Sequence, residues 1–144
     1  MSFVKIWVHM VFATKNRAPY LKKEIRNDVY KHIAENCSEK EIFLQAINGH
    51  KEHIHCLISL GKDQTIAKVS QLIKGESSFW INQNKLIPEK FSWQDDYFAV
   101  LVSESQVATV VGYIKDQDKH HAKKTFEAEV DEFMTRYGWE LIKG

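Results

Sequence analysis

Residues 3–13 (FVKIWVHMVFA) are dense in β-branched and aromatic side chains, the composition of a strand. After the turn around Ala18-Pro19, apolar Ile25, Val29, Ile33 and Cys37 recur every four residues, the spacing of one helix face. Residues 41–48 and 53–60 predict two further strands, joined as a hairpin by the polar stretch Asn48-Gly49-His50-Lys51-Glu52. A second helix is expected from Thr65 to about Asn84, with Ile66, Val69, Leu72 and Ile73 on one side. Tyr97 to Val102 reads as a fourth strand. Ser103 and Gln106 fit a capping box opening a third helix, whose apolar stripe is Val107, Val110, Val111 and Ile114. A last short helix is expected over 126–137. The order β-α-β-β-α-β, with extra C-terminal helices, predicts an α+β fold. It is the ferredoxin-like or RRM-like two-layer sandwich: one antiparallel sheet with helices on one face.

Composition changes this picture little. The 144 residues are the size of one domain and show no linker or repeat, so 1–144 is read as a single unit. With 44% apolar and 27% charged residues the chain has an ordinary globular balance. A net charge of +1 neither demands nor excludes a nucleic-acid partner, because local clustering matters more than the total. Cys37 and Cys56 match no zinc spacing and no disulfide framework, and no apolar run approaches membrane-spanning length. A cytoplasmic location with no membrane partner is therefore expected. The seven histidines stand out, four of them in two tight pairs.

The first pair is His53-Ile54-His55, inside the third strand. Side chains alternate across a strand, so His53 and His55 share one face while Ile54 and Cys56 share the other. Two imidazoles ~7 Å apart along a rigid strand can both reach one ion. The bland alternative is a pair of polar residues on a solvated face. A two-histidine phosphoesterase would need a second His-x-Ser/Thr strand, and the chain has none. The second feature is Tyr113-Ile114-Lys115-Asp116-Gln117. Residues i and i+4 are neighbours on a helix, so Tyr113 and Gln117 are expected side by side, bordering the Val110–Ile114 stripe. Alone, that pair is most simply a boundary tyrosine beside a solvated glutamine. His120 and His121, near the same edge, make a possible accessory pair.

Taken together, these residues resemble a single-tyrosine HUH transposase of the insertion sequence 200/605 family. The resemblance covers nearly the whole chain. It runs through Ala13-Thr14-Lys15-Asn16-Arg17, His53-Ile54-His55, Leu72-Ile73-Lys74-Gly75-Glu76-Ser77-Ser78, Phe91-Ser92-Trp93-Gln94-Asp95-Asp96-Tyr97, Tyr113 to Gln117 and His120-His121. It implies that His53 and His55 are metal ligands, Gln117 a third ligand and Tyr113 the nucleophile. It also implies that the substrate is single-stranded DNA carrying hairpins at the ends of a mobile element. A homodimer is implied too, with each active site shared between the histidines of one chain and the tyrosine of the other. Asp96 departs from the pattern, which has a glycine there, and Glu52 stands where aspartate or asparagine is common.

The chemistry suits those residues. Attack on an anionic phosphodiester needs its charge neutralised, which Mg²⁺ or Mn²⁺ does as a Lewis acid. Two neutral imidazoles and an amide oxygen add no negative charge and leave about three octahedral positions for phosphate oxygens and water. A tyrosine, with its pKa near ~10, is a better leaving group than an alkoxide. A phosphotyrosine therefore keeps the energy of the cut bond for rejoining. No residue stands out as the general base. Lys15, Arg17, Lys74, Lys115 and Lys119 are candidate phosphate contacts, with Lys123 and Lys124 beyond. Phe79, Trp80 and Trp93 are candidates for base stacking, against the simpler expectation of core packing. Two other functions fit the same elements: a non-catalytic RRM-like module binding single-stranded nucleic acid, and a metal-dependent phosphodiesterase that uses water.

Overall fold

The computed structural model describes residues 1–121 and 124–136. Its strands are β1 (Ile6–Thr14), β2 (Phe43–His50), β3 (His53–Leu60) and β4 (Trp93–Val102). Its helices are α1 (Lys23–Glu39), α2 (Ile66–Gln83), α3 (Val107–Lys115), α4 (Gln117–His121) and α5 (Phe126–Arg136). The strands form one sheet in the order β2-β3-β1-β4, with every pair antiparallel. This is the ferredoxin-like order, in which the two central strands come from the two halves of the chain.

Alternation along the strands creates two different faces. Val8, Met10 and Phe12 of β1 pack with Ile54, Cys56 and Ile58 of β3 beneath α1 and α2, which contribute Val29, Ile33, Val69 and Ile73. This apolar layer holds most of the buried hydrophobic area and supplies the main folding drive. The opposite face carries Trp7, His9, Val11, His53, His55 and Leu57. Beyond the expected helical layer, the C-terminal helices cover this second face. Ile114 of α3 packs against Trp7 and Leu57, while Phe126 and Val130 of α5 pack against Val11.

Several elements differ in extent from the sequence pattern. β2 runs on through Asn48, Gly49 and His50, leaving Lys51-Glu52 as the turn. β4 begins four residues early, at Trp93, because that indole is buried and donates to Ser77 Oγ at 2.9 Å. Asp96 lies where the β1–β4 register shifts between Phe12 and Thr14, but its φ is not positive, so a glycine is not required there. The capping box at Ser103 does not form. Residues Glu104–Gln106 make a 3-10 turn, and Ser103 Oγ pairs with Ser105 Oγ instead of a backbone N–H. Thr65 does cap α2, accepting from the Lys68 N–H. α5 begins as expected at Phe126, and Tyr137 lies outside the described residues.

Gly49 pairs with Ile54 in the tight β2–β3 hairpin. A Cβ there would lie 2.1 Å from the His53 carbonyl oxygen, a backbone atom that cannot rotate away. Gly49→Ala is thus expected to push β2 from β3 and to lower stability by about 1–3 kcal/mol, the usual cost of overpacking. Urea unfolding would report it as a lower midpoint. An unchanged midpoint would mean that the hairpin yields freely.

Candidate active site

β3 places both histidines of the HxH pair on the covered second face, fully buried. His53 Nδ1 donates to Glu52 Oε1 at 2.8 Å, which fixes the proton on that nitrogen and leaves Nε2 as a lone pair. That lone pair faces Gln117 Oε1 at 3.1 Å. The amide nitrogen of Gln117 donates back to the Tyr113 carbonyl at 3.3 Å, which orients the oxygen toward His53. His55 Nδ1 shares a 2.9 Å hydrogen bond with His9 Nε2, and its Nε2 lies 2.8 Å from Glu129 Oε1. The same carboxylate oxygen is 3.5 Å from His53 Nε2, and its other oxygen is 3.3 Å from His121 Nε2.

The break between α3 and α4 aims these groups. An uninterrupted helix was expected through Tyr113 and Gln117, but α3 stops at Lys115 and Asp116 leaves helical geometry (φ −94°, ψ 25°). Asn48 of β2 donates to the Lys115 carbonyl, satisfying one of the acceptors a helix end leaves open. The redirected chain buries Gln117 completely over His53, while Tyr113 stays half-buried beside His55, their ring centroids 5.7 Å apart. The nucleophile and metal-ligand candidates named from the sequence therefore meet in one place, within a single chain.

Electrostatics prepare the site for a cation. Burial outweighs the hydrogen bond to Glu129 and lowers His55 from 6.5 to about 4, and burial with His55 lowers His9 to about 3. Burial opposes the charge on Glu129, but the hydrogen bond from His55 and the histidine charges outweigh it and bring the carboxyl to about 2. At neutral pH the two rings are neutral bases beside a carboxylate. Burial, then Glu129, raises the Tyr113 phenol well above its usual range. The donor set fits a hard divalent ion: the Nε2 lone pair of His53 is directed at an amide oxygen, an unfavourable contact that a cation between them turns favourable.

These shifts give a pH dependence for the metal-free chain. Between 6.5 and about 4, unfolded His9 and His55 take up protons while the folded rings do not. Stability is thus full above pH 6.5 and falls on acidification, by more than about 1 kcal/mol per histidine. Urea midpoints measured in chelator from pH 7 to pH 4 would fall. A flat profile would show that both rings charge in place.

The other candidates divide. His121 reaches the centre: its ring lies 4.7 Å from that of His53, and its Nδ1 donates to the Lys124 carbonyl. His120 lies on α4, its side chain outside the described residues. Arg17 stands 5.2 Å over the Phe126 ring, which stacks on His53 at 4.0 Å, so it belongs to the rim. It lines a cleft of about 470 Å³ with His50, Lys51, His121, Lys124 and Phe126. Lys15, Lys115 and Lys119 are exposed. Lys74 does not join them. It sits on α2, on the opposite face, donating to the Asp95 carbonyl and lying 5.9 Å over the Tyr97 ring. Trp93 is core and Trp80 stacks on His32, whereas Phe79 is exposed. Lys123 lies outside the described residues.

The family model for transposases described as IS200-like matches residues 2–117, from before the first strand to Gln117. The chain belongs to the IS200-like transposase family. Solved structures share the fold, among them these two. One is a candidate transposase of Deinococcus radiodurans R1, with 22% identity and a TM-score of 0.63, covering 81% of this chain and 93% of that one. The other is a REP-associated tyrosine transposase bound to a REP hairpin, with 17% identity and a TM-score of 0.62, covering 84% of this chain and 72% of that one. No curated protein matches the chain. Among the described residues of this transposase, no helix is long and apolar enough to cross a membrane.

Sequence reasoning missed His9 and Glu129. His9 is a lone histidine among apolar residues of β1, on the face that period-2 alternation shares with His55 through the Val11–His55 pairing. Glu129 lies between Phe126 and Val130 on the i, i+3, i+4 stripe of α5. An acid on an apolar stripe was the available signal.

Proposed function

We propose that this transposase cuts and rejoins single-stranded DNA at the ends of a mobile element, using Tyr113 as nucleophile and Mg²⁺ or Mn²⁺ as cofactor. The observation that carries the reading is the convergence of Tyr113 with His53 Nε2, His55 Nε2 and Gln117 Oε1. His53, His55 and Gln117 are the residues that would hold the ion. When bound, it supplies Lewis-acid neutralisation of the phosphate charge.

The chain's own residues carry the steps. Tyr113 Oη attacks phosphorus, forming an Oη–P bond as the P–O3′ bond breaks, and the phenolic proton ends on the released 3′-hydroxyl. The product is a 5′-phosphotyrosine. Attack by another 3′-hydroxyl reverses the bonds and returns a proton to Tyr113, so rejoining consumes no nucleotide. Glu52 holds the His53 tautomer and His9 shares its proton with His55, the orienting role of groups behind a metal ligand. Lys15, Arg17, Lys115 and Lys119 would contact phosphates of the strand. The hairpin bound by the REP-associated relative supports a similar DNA partner.

An RRM-like binding module needs an open sheet face with exposed aromatics, whereas here that face is covered by α3 and α5. A water-using phosphodiesterase leaves no protein–DNA bond. The test common to both is denaturing electrophoresis of the chain with Mn²⁺ and single-stranded hairpin DNA. A covalent adduct that disappears in chelator is expected, and cleaved DNA without adduct would refute the reading.

A transposase joins two ends, so we extend the proposal to a twofold homodimer holding two nucleophiles in one particle. Tyr113 lies beside the histidines of its own chain, but the family resemblance implies sites shared between chains. Mixing His55→Ala with Tyr113→Phe under proven subunit exchange separates the two. Shared sites predict recovered cleavage, because one site of the mixed dimer is intact. A mixture that stays inactive would assign Tyr113 to its own chain's histidines.

A further inference from the structure

We propose that Glu129 is a fourth ligand of the metal ion, delivered by α5 from beyond the residues the family model matches. The inference rests on His53, His55 and Gln117 holding that ion. Glu129 is fully buried, and among the described residues its ion-pair partners are His53, His55 and His121, with no lysine or arginine. A buried carboxylate needs a counter-charge, and among the described residues only imidazoles face this one as partners that could carry it.

The geometry names the counter-charge. Ligand atoms of His53, His55 and Glu129 lie within 4.8 Å of one another, and Glu129 Oε1 faces both Nε2 atoms. Glu129 Oε2 and His121 Nε2 are buried without a hydrogen-bond partner, although they stand 3.3 Å apart. The reason is that His121 spends its ring proton on the Lys124 carbonyl and turns a lone pair toward the carboxylate. Lone pairs therefore point at both carboxylate oxygens: that of His121 at Oε2, and that of His53 at Oε1. Glu52 and Glu129 together bring two negative charges to this cluster, the number that one divalent ion balances.

α5 is built to hold the carboxylate at that height. Phe126 stacks on His53 with its plane 7° from parallel, and Val130 packs against Val11, so the residues at i−3 and i+1 fix Glu129 between them. With four protein ligands, about two of six octahedral positions stay open for phosphate oxygens. Binding of the ion would thereby tighten the seating of α5 that Phe126 and Val130 already provide.

The test is Mn²⁺ binding to the full chain, read by calorimetry and by the paramagnetic resonance of free Mn²⁺. Glu129→Gln keeps the shape and removes the charge. It is expected to weaken Mn²⁺ binding by about tenfold or more, at least the loss that follows removal of an outer partner. Unchanged or tighter binding, with His55→Ala weakened, would overturn the Glu129 assignment alone and mark the carboxylate as a counter-ion that the metal displaces. Unchanged binding in His55→Ala would overturn the underlying ligand reading as well. Hydrogen exchange of the wild-type chain gives a check that does not depend on a variant folding. Mn²⁺ should slow exchange across residues 126–132, and equal or faster exchange would overturn the proposal.

Discussion

Tyr113→Phe is expected to form no covalent adduct with single-stranded hairpin DNA and to lose strand cleavage by at least about 10³-fold, the scale on which nucleophile removal acts. The ring, its 5.7 Å approach to His55 and its packing beside Ile114 are all retained, and only the attacking oxygen is gone. Stability should fall by about 1 kcal/mol, because the lost hydroxyl gives up its hydrogen bond to the buried Glu129 carboxylate. Hairpin affinity, measured by gel shift, should stay within about twofold of wild type if phosphate contacts dominate binding. Adduct at wild-type yield in this variant would remove Tyr113 from the mechanism.

His55→Ala should abolish cleavage across a full Mn²⁺ titration while hairpin binding survives. The residue is fully buried and its two nitrogens serve different partners, His9 on one side and Glu129 on the other. Truncation leaves both without their shared ring, so loss of the ion is accompanied by a cost of about 1–3 kcal/mol for unsatisfied buried groups. Thermal melting separates the two effects: the variant must remain folded at the assay temperature for its inactivity to report on the metal. Cleavage at normal rates at any Mn²⁺ concentration would end the ligand assignment. Gln117→Ala should behave more mildly, raising the Mn²⁺ concentration needed for activity.

The parts legible in the sequence were those governed by local periodicity. The alternation in β3 assigned Ile54 and Cys56 to one side and His53 and His55 to the other, and the sheet register places them so. The four-residue spacing of Tyr113 and Gln117 indicated their proximity even though the helix between them is broken. What escaped was set by tertiary contacts. The break at Asp116 follows from where β2 offers Asn48, and the early start of β4 follows from the pocket that receives Trp93. Glu129 is 74 positions from His55, a separation no periodic signal spans. Lys74 looked like a DNA contact from its motif, yet the sheet separates it from the histidines.

The register of β3 has a consequence for how this chain can change over time. A shift of one residue would carry Ile54, Cys56 and Ile58 out of the main core at the same moment that it turned His53 and His55 into it. Histidine placement and folding are therefore inherited together. Gln117 and Tyr113 are not bound in this way, since they lie after the last strand, on segments that lean on the sheet from outside. Decay of an idle copy should accordingly begin there, leaving a well-folded protein with an intact histidine pair and no means of cutting. Descendants recruited to other work would be recognised by the same asymmetry: an HxH strand preserved as architecture, and a tyrosine helix free to diverge.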